Sequence, residues 1–192
     1  MQIVLIEAEW IMDDYITTIS GVHFTIMDPK PEDIRIEDIA HALSLMTRAN
    51  GHLPQFYSVA QHCIACYYEA QTRNYDQRVV LACLLHDASE AYLSDLTRPV
   101  KKNMTIYQQV EKQIQDMIYI KYLGAGLSKH EAELVSSVDD AELYYEFLNL
   151  KKEELMKQPP ILVRSHDYPV RDMKEVEDEF LSCFESAGGI RS

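Results

Sequence analysis

Four side chains able to hold a metal ion occur along the chain in the order His62, His86, Asp87 and Asp139, with Asp140 next to the last. His86 and Asp87 close an apolar run over residues 79–85. A histidine and an aspartate at the end of such a run are costly to bury unless they are paired or bind metal. Two imidazoles and two carboxylates suit one divalent ion: Mn²⁺, Fe²⁺, Co²⁺, Ni²⁺, Zn²⁺ or Mg²⁺. That set contains no thiolate. An ion held this way lowers the pKa of water and polarises a phosphoryl oxygen. Glu90 follows His86 and Asp87 at helical spacings of four and three, so it can face the same cavity.

These residues need elements that bring them together, and the patterning is helical almost throughout. Residues 15–27 are the exception: they are β-branched, alternate in places and break at Ser20-Gly21, which predicts a short hairpin. Residues 28–31 read as a connector. Glu37-Asp38 opens a helix that stops near Asn50-Gly51. Ser58 caps a helix through Tyr68 to about Thr72. Asp76 precedes a helix that carries His86-Asp87 and continues through Ala91. Pro99 begins a segment reaching Gly124, with Val110, Ile114 and Ile118 at helical spacing. Ser128 and Glu131 form a capping box for a helix over about 129–156, broken by Pro159-Pro160. A last helix covers residues 170–187. The expected fold is an all-α bundle with a small N-terminal β-hairpin, a single domain over 1–192 with its core at about 35–150.

The chain carries 31 acidic against 18 basic residues, a formal net charge of −13. That argues against polymeric nucleic acid as a partner, because binding it needs a basic face. No stretch resembles a membrane span, and residues 1–10 are too short and too acidic for a signal peptide. A soluble, cytoplasmic protein is expected. Cys63 and Cys66 form a C-x-x-C, but with no second pair the reading is buried packing, and no disulfide is assigned among the four cysteines.

The H…HD…D order resembles the signature of the HD-domain phosphohydrolases. The stretch 86–92 with 95–101 (Asp95, Arg98, Pro99, Lys101) looks like that of the YfbR-type 5'-deoxynucleotidases. The segments 48–52 and 56–62, with 20–24, look still more like the YfdR-type HD hydrolases. The resemblance covers roughly residues 16–150 and implies the HD-domain helical bundle. It implies that His62, His86, Asp87 and Asp139 hold one divalent metal. Asp139 is favoured over Asp140 by its spacing from Val135. It implies that Glu90 activates the attacking water, that Asp95 lies near the sugar 3'-hydroxyl, and that Arg48 and Lys101, with Arg98, contact phosphate. A single metal is expected, since His130 is the one further histidine between Asp87 and Asp139. The sequence departs from the YfbR pattern at Ala49, where those enzymes carry a tryptophan after the arginine; His52, Gln55, Phe56 or Tyr57 is expected to take up that space.

The implied activity is dephosphorylation of deoxynucleoside 5'-monophosphates. Resemblance to phage dATP triphosphohydrolases makes release of triphosphate from a dNTP the alternative. A nucleotide-binding regulator without turnover is a second alternative, against which Glu90 stands. A homo-oligomer, at least a dimer, is implied. A second HD dipeptide, His166-Asp167, falls between Ser165 and Tyr168-Pro169, so it is expected in a loop and away from the metal. Tyr144 and Tyr145 are expected to pack.

Overall fold

The computed structural model describes residues 14–191. Residues 1–10, including Trp10, on which the leader expectation rests, lie outside them. The described residues are mostly helical, with one antiparallel hairpin of β1 (Tyr15–Thr17) and β2 (His23–Thr25). Gly21 sits at φ 82° in the turn, a conformation favourable to glycine. Ser20 donates through both its backbone N–H and its hydroxyl to Asp38, at 2.9 and 2.8 Å. Phe24 of β2 is fully buried and stacks on Tyr92 at 3.9 Å.

The first helix, α1 (Ile36–Leu45), is shorter than expected. The chain leaves it extended at Met46 and Thr47, then makes a 3₁₀ turn over Arg48–Gly51. Here the backbone pairs sideways: Val59 N–H donates to Met46, Arg48 N–H to Tyr57, and Thr47 bridges Ser58. Ala49 and Asn50 consequently adopt the left-handed region, at φ 52° and 51°. Arg48 is thereby carried on a loop, not on a helix.

Helix α2 (Val59–Thr72) begins with a complete Ser58–Gln61 capping box. It is apolar on most sides and lies in the middle of the bundle, against α1, α3 (Gln77–Leu85), α7 (Lys129–Lys151) and α8 (Met173–Ser186). A helix covered on so many sides buries most of the polar groups it carries, and His62 is fully buried. Asp76 caps α3 by accepting from Val79 N–H, and Ser128 with Glu131 caps α7. Helix α7 stops at Lys151, where Lys152 takes the left-handed conformation, five residues before the expected end. The expected helix from Pro99 is divided into α5 (Arg98–Lys101) and α6 (Thr105–Leu123). Helix α8 places Phe180 and Phe184 in the core, each contributing about 1.5–3 kcal/mol by burial. With Phe24, they extend the apolar core beyond residues 35–150.

The largest correction concerns the HD dipeptide. Helix α3 ends at Leu85, and His86 is its C-cap. Residues 86–89 form a turn before the short α4 (Glu90–Leu93). N–H groups of Ala88, Glu90, Ala91 and Tyr92 each bond the carbonyl three residues back. Winding at three residues per turn eclipses positions i and i+3, so Asp87 and Glu90 share a face better than on the expected α-helix. Gln115 of α6 brackets this turn: its Oε1 accepts from Ser89 N–H at 3.1 Å, and its Nε2 donates to Leu85 O at 2.7 Å.

Candidate metal centre

The four expected ligands come together where α2, the turn after α3, and α7 meet. Nε2 of His62 lies 3.2 Å from Nε2 of His86 and 3.1 Å from Asp139 Oδ1. Nε2 of His86 lies 3.4 Å from Asp87 Oδ2 and 3.6 Å from Asp139 Oδ1. Asp139 faces the imidazoles; its neighbour Asp140 is ion-paired to Arg98 at 2.8 Å.

The ring nitrogens on the far side are already engaged. Nδ1 of His62 is 2.6 Å from Glu146 Oε1, and Nδ1 of His86 is 2.8 Å from Cys83 O. Nδ1–H on each ring leaves Nε2 with a lone pair. On neutral rings the two lone pairs, 3.2 Å apart, do not bond each other; a shared proton or a cation reached by both nitrogens relieves the contact. The carboxylates fit the same role. Burial alone would raise the Asp139 pKa, yet His62 and His86 hold it well below the usual range. Asp87 is likewise lowered against burial, by His86 and Arg48. Burial alone would lower His86, but Asp87 and Asp139 push it well up. The donor set, with its engaged outer nitrogens, fits a divalent ion.

The cysteines are closer than expected. Cys63 and Cys66 are buried, and burial pushes the Cys63 thiol up to about 11 and Cys66 higher. Yet Cys66 Sγ is 3.6 Å from Nε2 of His62. The donors of His62, Cys66 and His86 lie within 4.8 Å of one another, as do those of Cys63, His86 and Asp87. These buried groups could hold a metal ion. Read as packing, the C-x-x-C gave no hint of its place beneath the imidazoles.

Glu90 is buried and raised well above the ordinary carboxyl range, by burial first and then by Asp87 and Asp95. Its Oε1 accepts from Lys101 at 3.2 Å, and its Oε2 has no hydrogen-bond partner among the described residues. Lys101 also reaches Glu111 at 2.5 Å. Asp95 is buried, and its charge acts on both Glu90 and Arg48. Arg98 donates to Asp139 Oδ2 at 2.8 Å from an exposed position. A cavity of about 280 Å³ opens here, lined by His86, Asp87, Lys101 and, from α6, Glu111, Lys112 and Gln115. The α6 lining had no signal in the sequence beyond a polar helix face.

The expected substrate contacts separate. Arg48 is buried among the carboxylates of the site, donating to Asp87 at 3.3 Å and to Glu146 at 3.4 Å. Glu146 was missed: the sequence shows only another acidic residue on α7. Tyr57 is buried and lines a second cavity of about 290 Å³, with Gln61, Tyr68, Arg164 and His166. His52 is exposed and makes no side-chain hydrogen bond among the described residues. His166 lies in an irregular segment as expected, 3.5 Å from the buried Glu142 and outside the ligand cluster. That segment is tied down by Glu69, which accepts from Val163 and Arg164 N–H, and by Gln61, which donates to Pro169 O.

No known protein-family profile matches the chain. Over 108 residues, 56% of the chain, it is 40% identical to the uncharacterized protein YfdR of Escherichia coli K12, and the match spans 58% of that protein, under two thirds of its length. Over 175 residues it is 31% identical to an uncharacterized protein of Rhodobacter capsulatus, covering 84% of this chain and 89% of the relative. Among the described residues no helix is long and apolar enough to cross a membrane.

Proposed function

The chain belongs to the same family as the Rhodobacter capsulatus protein, and we propose that it is a metal-dependent phosphohydrolase of the HD type acting on nucleotides. The proposed reaction is hydrolysis of a deoxynucleoside 5'-monophosphate to the nucleoside and orthophosphate. The observation that carries this reading is the convergence of His62, His86, Asp87 and Asp139 with both outer imidazole nitrogens engaged. A divalent ion on these four side chains would draw charge from the phosphoryl group and acidify the attacking water.

The chain's own residues do the rest. Glu90 takes the proton of the attacking water; its raised pKa makes it the stronger base. The bond from phosphorus to the 5'-oxygen breaks, and that oxygen is reprotonated from Glu90 or solvent. Lys101 and Arg98 turn from their carboxylate partners to the phosphate oxygens, giving charge-assisted hydrogen bonds. Asp95 faces the sugar. Arg48 holds Asp87 and Glu146 in place. The partner is a small molecule, the setting the cytoplasm, and the working form a homo-oligomer.

The test is a product screen with Mn²⁺ or Co²⁺ on nucleoside mono- and triphosphates. Orthophosphate from dAMP or another dNMP is expected. Tripolyphosphate from a dNTP would instead identify a triphosphohydrolase. Neither product from any nucleotide would overturn the enzymatic reading and leave a nucleotide-binding regulator.

A further inference from the structure

We propose that Cys66 is a ligand of this metal centre, which therefore takes a thiophilic or borderline ion such as Zn²⁺, Co²⁺ or Fe²⁺ in preference to Mg²⁺. The inference rests on the metal-centre reading above and narrows it.

Cys66 follows His62 by four residues on α2, so the two side chains stack on one helix face. Its Sγ is 3.6 Å from Nε2 of His62, and that nitrogen is 3.2 Å from Nε2 of His86. Neighbouring ligand atoms bound to one ion at about 2.0–2.3 Å lie roughly 3–3.6 Å apart. The observed separations match that spacing closely. Nε2 of His62 is the one hydrogen-bonding partner of Cys66 Sγ among the described residues. Since Nδ1 of His62 is committed to Glu146, that nitrogen offers its lone pair toward the same point as the sulfur.

Cys66 is favoured over Cys63 on grouping. The donor cluster containing both histidines includes Cys66, whereas Cys63 groups with His86 and Asp87. On binding, a sulfur–metal bond forms, the S–H bond breaks and the proton leaves to solvent. A thiolate in the set disfavours Mg²⁺, whose preferred ligands are oxygens.

The experiment uses the full chain, stripped of metal and loaded with Co²⁺. A thiolate-to-cobalt charge-transfer absorption is expected in the wild type and in Cys63→Ser. In Cys66→Ser the absorption is expected to vanish, with Co²⁺ still bound but more weakly, and with one fewer proton released on binding. X-ray absorption on the zinc-loaded wild type needs no substitution, and it is expected to show a sulfur neighbour at about 2.3 Å. Bound metal with no sulfur neighbour, or a charge-transfer band surviving in Cys66→Ser, overturns the ligand assignment alone. A wild type that binds no divalent ion overturns the metal centre itself.

Discussion

Oε1 of Glu146 lies 2.6 Å from Nδ1 of His62, with both side chains essentially excluded from solvent. Burial alone would raise the Glu146 carboxyl, but His62 and Arg48 hold it below its ordinary value. It is therefore an acceptor that fixes the tautomer and tilt of the imidazole. Replacing such a partner typically costs 10–100-fold in metal affinity. Glu146→Ala should weaken Mn²⁺ or Co²⁺ binding by about that factor in titration calorimetry. An unchanged affinity would show that His62 needs no such support.

Glu90 makes no hydrogen bond to the four candidate ligands among the described residues, yet it shares a face of the turn with Asp87. Glu90→Gln should lower nucleotide hydrolysis by about 10²–10⁴-fold while metal binding persists. Because the wild-type carboxyl must be ionised to act as base and its pKa is raised, activity should increase with pH through a value above the ordinary carboxyl range. A variant hydrolysing at the wild-type rate would remove Glu90 from the mechanism.

Binding of metal to the folded chain alone must stabilise it. At a free concentration 100 times Kd, the gain is about 2.7 kcal/mol. For a chain of this size that corresponds to roughly 5–10 °C in Tm. Thermal melts with divalent ions against a chelator check this. The increment should fade on acidification, as the imidazoles and carboxylates take up protons. A melt indifferent to every divalent ion would refute it.

Glu142 is fully buried with both carboxyl oxygens free of hydrogen bonds among the described residues. Burial raises its pKa to about 8, with Glu146 and Glu69 adding to the rise and His62 opposing it. The unfolded value is about 4.3, so between the two the folded chain holds the extra proton. Its stabilising contribution is complete below the lower value and lost as pH rises through about 8. Denaturant unfolding at pH 6 and pH 9 should show a loss of a few kcal/mol in the wild type, at about 1.4 kcal/mol per unit. Glu142→Gln should flatten it, and equal slopes would contradict the assignment.

Gln115 bonds the backbone on both sides of His86-Asp87. Gln115→Leu leaves Leu85 O and Ser89 N–H without that partner, at an expected cost of about 1–3 kcal/mol in urea unfolding. The same variant should bind metal more weakly, since the turn loses its register. Wild-type stability and affinity together would show that the turn holds itself.

The cluster of four candidate ligands was legible because His86 and Asp87 stand at the end of an apolar run and the order of the four resembles a known signature. Helix starts at Ser58, Asp76 and Ser128 were legible because caps are local chemistry. Interruptions within helices were not. The break at Leu85 depends on Gln115, 30 residues onward, and the loop at Arg48 depends on pairing with Tyr57 and Ser58. Arg48, expected to hold phosphate, is buried against carboxylates from two other elements, Asp87 and Glu146, a pairing with no mark in the sequence. Glu146 carries no local mark: the packing of α7 against α2 places it beside His62, as one turn of α2 places Cys66 there.

Ser94, which ends α4, sits at φ 81° and ψ 151°, a conformation at home in glycine and strained by about 1–3 kcal/mol in serine. It is also the last residue before Asp95, a buried carboxylate whose charge acts on Glu90 and Arg48. The fold thus keeps a reserve of stability unclaimed at this position. Glycine there would release the tension but loosen the backbone that aims the carboxylate. In the proposed reaction, robustness and the placement of Asp95 pull in opposite directions at a single peptide unit, and breeding a hardier form of the protein by that route would come at the expense of its rate.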